Sequence, residues 1–343
     1  MLKKTKAILI VILVLVPLIA GIFWLTGCLV LIAGVIWLAN SNVGFIRYIN
    51  RHVWLYAPIG LVGVVLLAVW MRVFILEIYA IPSGSMEDTL LAGDKVIVFK
   101  PAYGPALPHS PFELPWLNLF FVLSESAKER FNDDWWPHRR LRGYTRLANN
   151  DVVVFRLPGN RDEFFIKRCV AIPGDTLLIV SDTVFINGKF LPHPVGVKHN
   201  PFYQHRNTFV SGEAASGQPQ VFPYSDYFRW NIGNFGPLLL PKPGQIVELS
   251  EPQVAIYWNL MANTEGLTPE NRDGHYLVGG LPAKTYRFAH GYCFMLGDNR
   301  HNSNDSRYFG PIPEQHIAGK ATLVLFNFHN GRFDHRRWLK RIY

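Results

Sequence analysis

The chain has 343 residues, which is long enough for two soluble domains or for a membrane anchor and one sizeable domain. Apolar residues make up 49% of it, charged residues 17%, and the formal net charge is +9. The three cysteines exclude a disulfide-dense scaffold. Cys169 and Cys293 are expected as buried free thiols, with a bridge between them left open.

Most of the long apolar runs lie in the first 80 residues. No charged residue occurs from 7 to 38, about 32 residues or roughly 48 Å of helix, against a hydrocarbon core of roughly 30 Å. That run predicts one tilted helix or a hairpin of two short spans. A second run, 53–78, predicts a single span, so residues 1–79 are interpreted as an anchor of two or three transmembrane helices. A cleavable signal peptide is rejected because the apolar run is too long.

Basic residues indicate the orientation of this anchor. The N-terminal lysines and the loop with Arg47 and Arg51 are both expected on the cytoplasmic side. An even number of spans between them satisfies both, which favours three spans and places everything after residue 79 outside. The other basic clusters, at 139–142 and 336–341, are interpreted as contacts with lipid head groups or a solvated face rather than as a nucleic-acid site.

The rest of the chain has the pattern of a mainly β protein. Strands are predicted at the end of 90–100, at 151–156, 164–172, 292–296 and 321–328. Residues 183–290 alternate short strands with Pro, Gly and Asn turns, which predicts a β subdomain inserted into a core formed by 80–182 and 291–343. The proline-rich segment 101–145 is predicted to be irregular. Its apolar patch, 116–123, is either a buried element or a surface that dips into lipid.

Three segments could carry chemistry. They are the turn Ser83-Gly84-Ser85-Met86, Lys167 within an apolar strand, and the polar loop 297–307 between two apolar strands. A serine hydroxyl needs a base to become a nucleophile, and no Gly-x-Ser-x-Gly elbow anchors a Ser/His/Asp triad here. A lysine can be that base if burial lowers its pKa. Taken singly, the serine turn also fits a plain connection, and the lysine a solvated strand residue.

Taken together, the segments resemble the type I signal peptidases, which are membrane-bound proteases with a Ser/Lys dyad. Pro82-Ser83-Gly84-Ser85-Met86 is similar to the nucleophile box of that family, and Gly93-Asp94 to the next box. The strand at 151–155, with Ile166-Lys167-Arg168 and Pro173-Gly174-Asp175, resembles the lysine box. Gly297-Asp298-Asn299-Arg300, Asn302-Ser303 and Asp305-Ser306-Arg307 resemble the last box. The resemblance covers 80–180 and 291–326, in the order of the family.

The resemblance implies a role for each matching side chain. Ser85 is the expected nucleophile and Lys167 the general base. The Ser85 N–H and the Ser83 hydroxyl are expected to form the oxyanion hole, and Ser303 is expected to orient the lysine amine. Structural ion pairs are expected within the two couples Arg168–Asp298 and Asp305–Arg307. No metal or organic cofactor is expected. His301 departs from the family pattern without an assigned role, and Cys169 replaces a small residue whose space its thiol is expected to fill.

The function implied is the removal of signal peptides, after small residues such as Ala, at the outer face of a bacterial cytoplasmic membrane. The implied fold is a β-rich catalytic core with the inserted β subdomain. Expected partners are the signal peptides of preproteins, the lipid bilayer and the nearby protein translocation channel. Two alternatives are a non-catalytic tethered β-domain and a Ser/Lys protease that cleaves itself or a soluble regulator. The complete set of matching side chains argues against the first, and the apolar spans argue against the second.

Overall fold

The computed structural model describes residues 34, 53–110, 113–114, 136–158, 160–194, 196–197, 221–272, 275–329 and 331–343. The chain divides into two compact units, one of residues 1–80 and 105–141, the other of residues 81–104 and 142–343. In the first unit, helix α1 (Val53–Phe74) precedes strand β1 (Leu76–Ala80).

None of the helices in the described ranges meets the length and hydropathy needed for a membrane span. The spans predicted between 7 and 38 fall, except for Gly34, outside the described residues. The transmembrane helices and the two-or-three alternative therefore stay predictions. The apolar patch 116–123 also lies outside the described residues.

The second unit is mainly β, as predicted, and is built around one antiparallel sheet. Its strands run in the order β2–β16–β3–β4–β14–β15, with β17 and β18 paired to β16. The bounds are β2 Asp94–Phe99, β3 Val152–Leu157, β4 Asn160–Ala171, β14 Tyr292–Leu296, β15 Ile312–Pro313, β16 Ile317–His329, β17 Arg332–Asp334 and β18 Lys340–Arg341. The central strands lie where β-branched and aromatic runs predict them.

Strand β14 separates two apolar cores. All five of its residues are buried, and successive side chains point to opposite faces of a strand. Phe294 packs into a large cluster that includes Leu177 and Tyr257, whereas Cys293 and Met295 pack into a smaller cluster beside Phe155. Burial on both faces explains why this strand has a continuous apolar sequence rather than an alternating one.

A second sheet, in the order β7–β6–β5–β8, contributes its buried side chains to the large cluster. The bounds are β5 Thr176–Val180, β6 Thr183–Ile186, β7 Lys189–Phe190 and β8 Phe235–Leu239. Two smaller sheets follow: β9 Ile246–Glu248 pairs with β13 Thr285–Arg287, and β11 His275–Val278 lies between β10 Pro269–Arg272 and β12 Leu281–Pro282. Strands β5 and β6 pair across the position predicted as a domain boundary, 182/183. The domain division itself stays a prediction.

Two features complete the second unit. A helix of 13 residues, α2 (Glu251–Asn263), lies within the segment predicted as an inserted β subdomain of short strands and turns, and a short helix, α3 (Ser306–Phe309), follows the polar loop. Cys169 and Cys293 are both buried and free, as expected. Burial raises the pKa of the Cys293 thiol well above its ordinary value, helped by a hydrogen bond with Cys169.

Candidate active site

Ser85 lies in a tight turn whose base is closed by backbone hydrogen bonds. The Ile81 N–H donates to the Asp94 carbonyl over 2.9 Å, and the Gly93 N–H donates to the Ile81 carbonyl over 2.9 Å. The neighbour of the serine, Met86, is fully buried and pins the turn to the core, while Ser85 itself is 8% exposed. The turn thus holds a nearly buried hydroxyl on a short, anchored stretch of backbone.

Lys167 meets this hydroxyl from strand β4. Its Nζ donates to the Ser85 Oγ over 2.7 Å and to the Ile166 carbonyl over 3.0 Å. The side chain is only 4% exposed, and burial lowers the pKa of the Lys167 amine to about 8, although the charges of Asp305 and Asp298 oppose the shift. A lysine with that pKa has a sizeable neutral fraction near neutral pH, so it can accept a proton from the serine.

Ser83 lies two residues before Ser85 in the same turn. Its Oγ is 3.3 Å from the Ser85 Oγ, and the Ser83 residue is exposed whereas Ser85 is buried. The hydroxyl of Ser83 therefore lies on the open side of the site, close to where a substrate carbonyl would meet the Ser85 oxygen. This position is compatible with the predicted oxyanion-hole role, which stays a prediction.

Ser303 is buried near the same turn, but its contacts differ from the expectation. In the described parts of the chain its Oγ forms no hydrogen bond with Lys167, whereas a hydrogen bond from Ser303 helps to lower the pKa of the Asp305 carboxyl. A Cβ added to Gly297 would lie 2.1 Å from the Ser303 Oγ and 2.6 Å from the Ser85 carbonyl oxygen. Ser303 therefore packs against Gly297, and the role of orienting the lysine stays a prediction.

Arg168, the residue after Lys167 on strand β4, forms a buried ion pair with Asp298. Arg168 Nε donates to Asp298 Oδ1 and Nη2 to Asp298 Oδ2, each over 2.8 Å. The remaining nitrogen, Nη1, donates to the backbone carbonyls of Asn150 and Tyr343. The bidentate geometry satisfies both charges without water, which is what a buried pair requires.

Asp305 and Arg307 form a second buried pair on the polar loop. Arg307 Nε donates to Asp305 Oδ1 over 2.9 Å, and the Gly297 N–H donates to Asp305 Oδ2 over 3.1 Å. Burial raises the pKa of the Asp305 carboxyl, but the charge of Arg307 and these hydrogen bonds outweigh it and hold the pKa below its ordinary value. The carboxylate is therefore ionised and fixes the start of the loop at Gly297.

Asn299 is a functional candidate that the sequence reasoning did not single out. Its backbone N–H donates to the Ser85 carbonyl over 3.1 Å. Its side-chain Nδ2 donates to the Gly84 carbonyl over 3.1 Å and to Glu87 Oε2 over 3.2 Å. The available signal was its place beside Asp298 in the polar loop, but the sequence alone does not indicate which turn such an amide meets.

The prediction for the C-terminal basic cluster is wrong at Arg337. The sequence predicts that the cluster 336–341 contacts lipid head groups or solvent, but the Arg337 side chain is buried and pairs with Asp94. Its Nη2 also donates to the Thr89 carbonyl over 3.0 Å. Thr89 Oγ1 in turn donates to Asp298 Oδ2 over 2.6 Å. The turn that carries Ser85 is therefore anchored by hydrogen bonds at Thr89 as well as at its start.

His301, which had no assigned role, links the polar loop to the second sheet. Its Nε2 lies 3.4 Å from Asp182 Oδ2, at the turn between β5 and β6. The contact ties the loop that carries Asp298 and Asn299 to the β5–β6 hairpin, whose apolar side chains share the large cluster with Phe294. It is a structural contact and does not touch Ser85.

A model of the family "Signal peptidase, peptidase S26" matches residues 54–228 and 240–326 of the chain. Signal peptidase I of Aquifex aeolicus (strain VF5) is 27% identical over 277 residues, which are 77% of this chain and 81% of that protein. Signal peptidase I of Buchnera aphidicola subsp. Acyrthosiphon pisum (strain APS) is 24% identical over 335 residues, 94% of this chain and 93% of that protein.

Among solved structures, a signal peptidase I from Enterococcus faecalis V583 matches with 18% identity. The match covers 52% of this chain and 98% of that one, with a TM-score of 0.23. A superposition of that quality carries no structural argument, so the family match is carried by the sequence.

Proposed function

This chain belongs to the signal peptidase family, peptidase S26, and we propose on that premise that it removes signal peptides from exported preproteins. It is a serine endopeptidase, as its relatives are. The observation that supports the proposed chemistry best is the 2.7 Å hydrogen bond between Lys167 Nζ and Ser85 Oγ. A buried lysine that has a lowered pKa and is hydrogen-bonded to a serine can act as the general base for that serine, so no histidine is needed.

In the proposed first half of the reaction, neutral Lys167 accepts the hydroxyl proton while Ser85 Oγ bonds to the scissile carbonyl carbon. The carbonyl oxygen becomes an oxyanion, which accepts hydrogen bonds from the Ser85 N–H and the Ser83 hydroxyl. When the C–N bond breaks, protonated Lys167 gives its proton to the leaving amine, which is the new N-terminus of the mature protein. The signal peptide stays bound to Ser85 as an ester.

In the second half, a water molecule replaces the departed amine. Lys167, neutral again, accepts a proton from that water, and the resulting hydroxide attacks the ester carbonyl. The same oxyanion donors stabilise the second tetrahedral intermediate, and the proton returns from Lys167 to Ser85 Oγ as the ester breaks. Each donor of this kind contributes about 3 kcal/mol in comparable sites. The two halves consume one water, and the enzyme ends in its starting state.

We further propose that residues before 80 anchor the enzyme as a multi-pass protein in a bacterial cytoplasmic membrane, with the catalytic part on the outer face. The uncharged run 7–38, the run 53–78 and the basic loop between them support this orientation. Ser85 follows the second run closely along the chain. A preprotein that leaves the translocation channel, with its signal peptide still in the bilayer, then presents its cleavage site near the height of this hydroxyl.

Cleavage of a preprotein whose signal peptide ends in Ala-x-Ala tests the proposal. Wild-type protein is expected to release the mature chain, and Ser85→Ala and Lys167→Ala are each expected to abolish release because nucleophile or base is lost. Lys189→Ala, on the exposed strand β7, is the matched control and is expected to cleave normally. Cleavage by either dyad variant at the wild-type rate contradicts the mechanism.

A further inference from the structure

The backbone of Ser85 is held on both sides by one residue, Asn299. The peptide unit before Ser85 consists of the Gly84 carbonyl and the Ser85 N–H, and Asn299 Nδ2 donates to that carbonyl over 3.1 Å. The peptide unit after Ser85 begins with the Ser85 carbonyl, which accepts the Asn299 N–H over 3.1 Å. Asn299 therefore fixes two consecutive peptide planes through different donors.

The contact with the Gly84 carbonyl has a consequence for the Ser85 N–H. A trans peptide unit is planar, so its carbonyl and N–H point in opposite directions, and fixing one fixes the other. The Gly84 carbonyl accepts two hydrogen bonds, from Asn299 Nδ2 and from the Glu87 N–H over 3.0 Å. Among the described residues, no acceptor is hydrogen-bonded to the Ser85 N–H itself, which leaves that donor available to a substrate.

The Asn299 amide is in turn fixed by a second acceptor. Its Nδ2 also donates to Glu87 Oε2 over 3.2 Å, so both amide hydrogens are directed at the nucleophile turn. The carbonyl of Asn299 accepts the Asn302 N–H over 3.0 Å, which holds its backbone in the loop. With both amide hydrogens engaged, the Asn299 side chain is held in one orientation and, together with the Glu87 N–H, fixes the direction of the Gly84 carbonyl.

We propose that Asn299 is a positioning residue for the oxyanion hole: it aims the Ser85 N–H at the oxyanion by holding the Gly84 carbonyl from the opposite side. The inference rests on the proposed function, because it needs Ser85 to be the nucleophile. It assigns Asn299 to transition-state stabilisation and to neither substrate affinity nor the basicity of Lys167. A preorganised donor contributes only when charge develops on the substrate oxygen.

Steady-state kinetics of full-length Asn299→Ala on the Ala-x-Ala preprotein tests this assignment. The variant loses both amide donors but keeps the backbone N–H that holds the Ser85 carbonyl. We expect kcat to fall by roughly 10-fold to 100-fold, somewhat less than the loss of a whole oxyanion donor, with KM unchanged. The low-pH limb of the kcat/KM profile is expected to stay in place, because the hydrogen bonds of Lys167 are intact.

Asn304→Ala is the matched control, since Asn304 is exposed in the same loop and the substitution is identical. It is expected to match wild type in kcat and KM. A kcat of Asn299→Ala within twofold of wild type overturns the assignment. So does a rise in KM at constant kcat, or a displaced low-pH limb. If wild type and Asn304→Ala themselves fail to cleave the preprotein, the proposed function fails instead, and the two failures are thereby distinguished.

Discussion

Two ion pairs in this protein have similar distances and opposite surroundings. Arg168 and Asp298 are 2.8 Å apart and both side chains are 0% exposed. Arg272 and Glu270, on strand β10, are 3.0 Å apart with side chains 71% and 55% exposed. From the distances alone the two pairs would be expected to contribute equally to stability, but water solvates the second pair and not the first. Burial, and not separation, decides how much of the structure depends on each pair.

The largest effect is expected from breaking the buried pair. Asp298→Ala leaves the Arg168 guanidinium buried without its counter-charge, which costs about 3–5 kcal/mol in comparable cases. The free energy of unfolding of the purified full-length protein, from denaturant titration, measures this effect. Thr89 also loses its acceptor, so the nucleophile turn is expected to loosen and proteolytic activity to fall.

Glu270→Ala is the control for that measurement. It removes the same kind of carboxylate from an exposed pair, for which about 0–1 kcal/mol is expected. Equal destabilisation by the two variants would contradict the role of burial in this comparison. Equal activity loss would contradict the link between Asp298 and the site.

A smaller effect is expected at Gly297, where the polar loop packs against Ser85. An added Cβ would lie 2.1 Å from the Ser303 Oγ and 2.6 Å from the Ser85 carbonyl oxygen, so Gly297→Ala must displace the turn or the loop. Overpacking of this kind destabilises by about 1–3 kcal/mol, and activity on the preprotein is expected to fall with it.

Gly84→Ala provides the comparison for stability, because a Cβ there meets nothing nearer than Glu87 Oε2 at 3.8 Å. Unfolding titrations of the two variants are expected to differ clearly. A Gly297→Ala protein as stable and as active as wild type would show that the loop and turn are not in the tight contact described.

The next prediction concerns the fall of kcat/KM at low pH. The pKa of Lys167 is lowered to about 8, and only the neutral amine accepts a proton. As pH falls through that value the amine becomes charged, so kcat/KM is expected to drop by about tenfold per pH unit below it. A pH–rate profile of the wild type checks this expectation.

A pH–rate profile also distinguishes the two ion pairs, because only the buried pair is expected to affect the pKa of Lys167. The charge of Asp298 raises the pKa of Lys167, against the larger effect of burial. Removing that charge in Asp298→Asn is therefore expected to move the low-pH limb to lower pH. Glu270→Gln, at the exposed pair, is expected to leave the limb unchanged. A limb that moves in the opposite direction in Asp298→Asn would exclude a through-space charge effect.

Much of the mainly β framework could be predicted from sequence, because strands such as β3 and β14 carry apolar runs bounded by polar turns. Helix α2 was missed because its residues were read as part of a turn-rich β segment. Its start does carry a helix signal, since Ser250 precedes Glu251 and a proline in the first turn. The helix signal at Ser250 is therefore present in the sequence, but the many turn residues around it favoured the prediction of strands.

The residues of the candidate site divide in a similar way. Ser85, Lys167 and the polar loop could be picked out because, taken together, they resemble the boxes of a known family. Asn299 and Arg337 could not, because their partners, Gly84 and Asp94, are 215 and 243 positions away in the chain. A hydrogen bond across such a separation depends on tertiary packing, and one sequence contains no local pattern that specifies it.

These long-range hydrogen bonds also bear on when the enzyme becomes active. The turn with Ser85 is synthesised early, but Lys167 follows 82 positions later and the Asn299 amide that holds Gly84 follows 215 positions after that glycine. Contacts between distant segments form only after the intervening chain is present. A nascent chain that ends before residue 299 lacks the Asn299 amide that holds Gly84, so the geometry described around Ser85 is complete only after that residue has been synthesised.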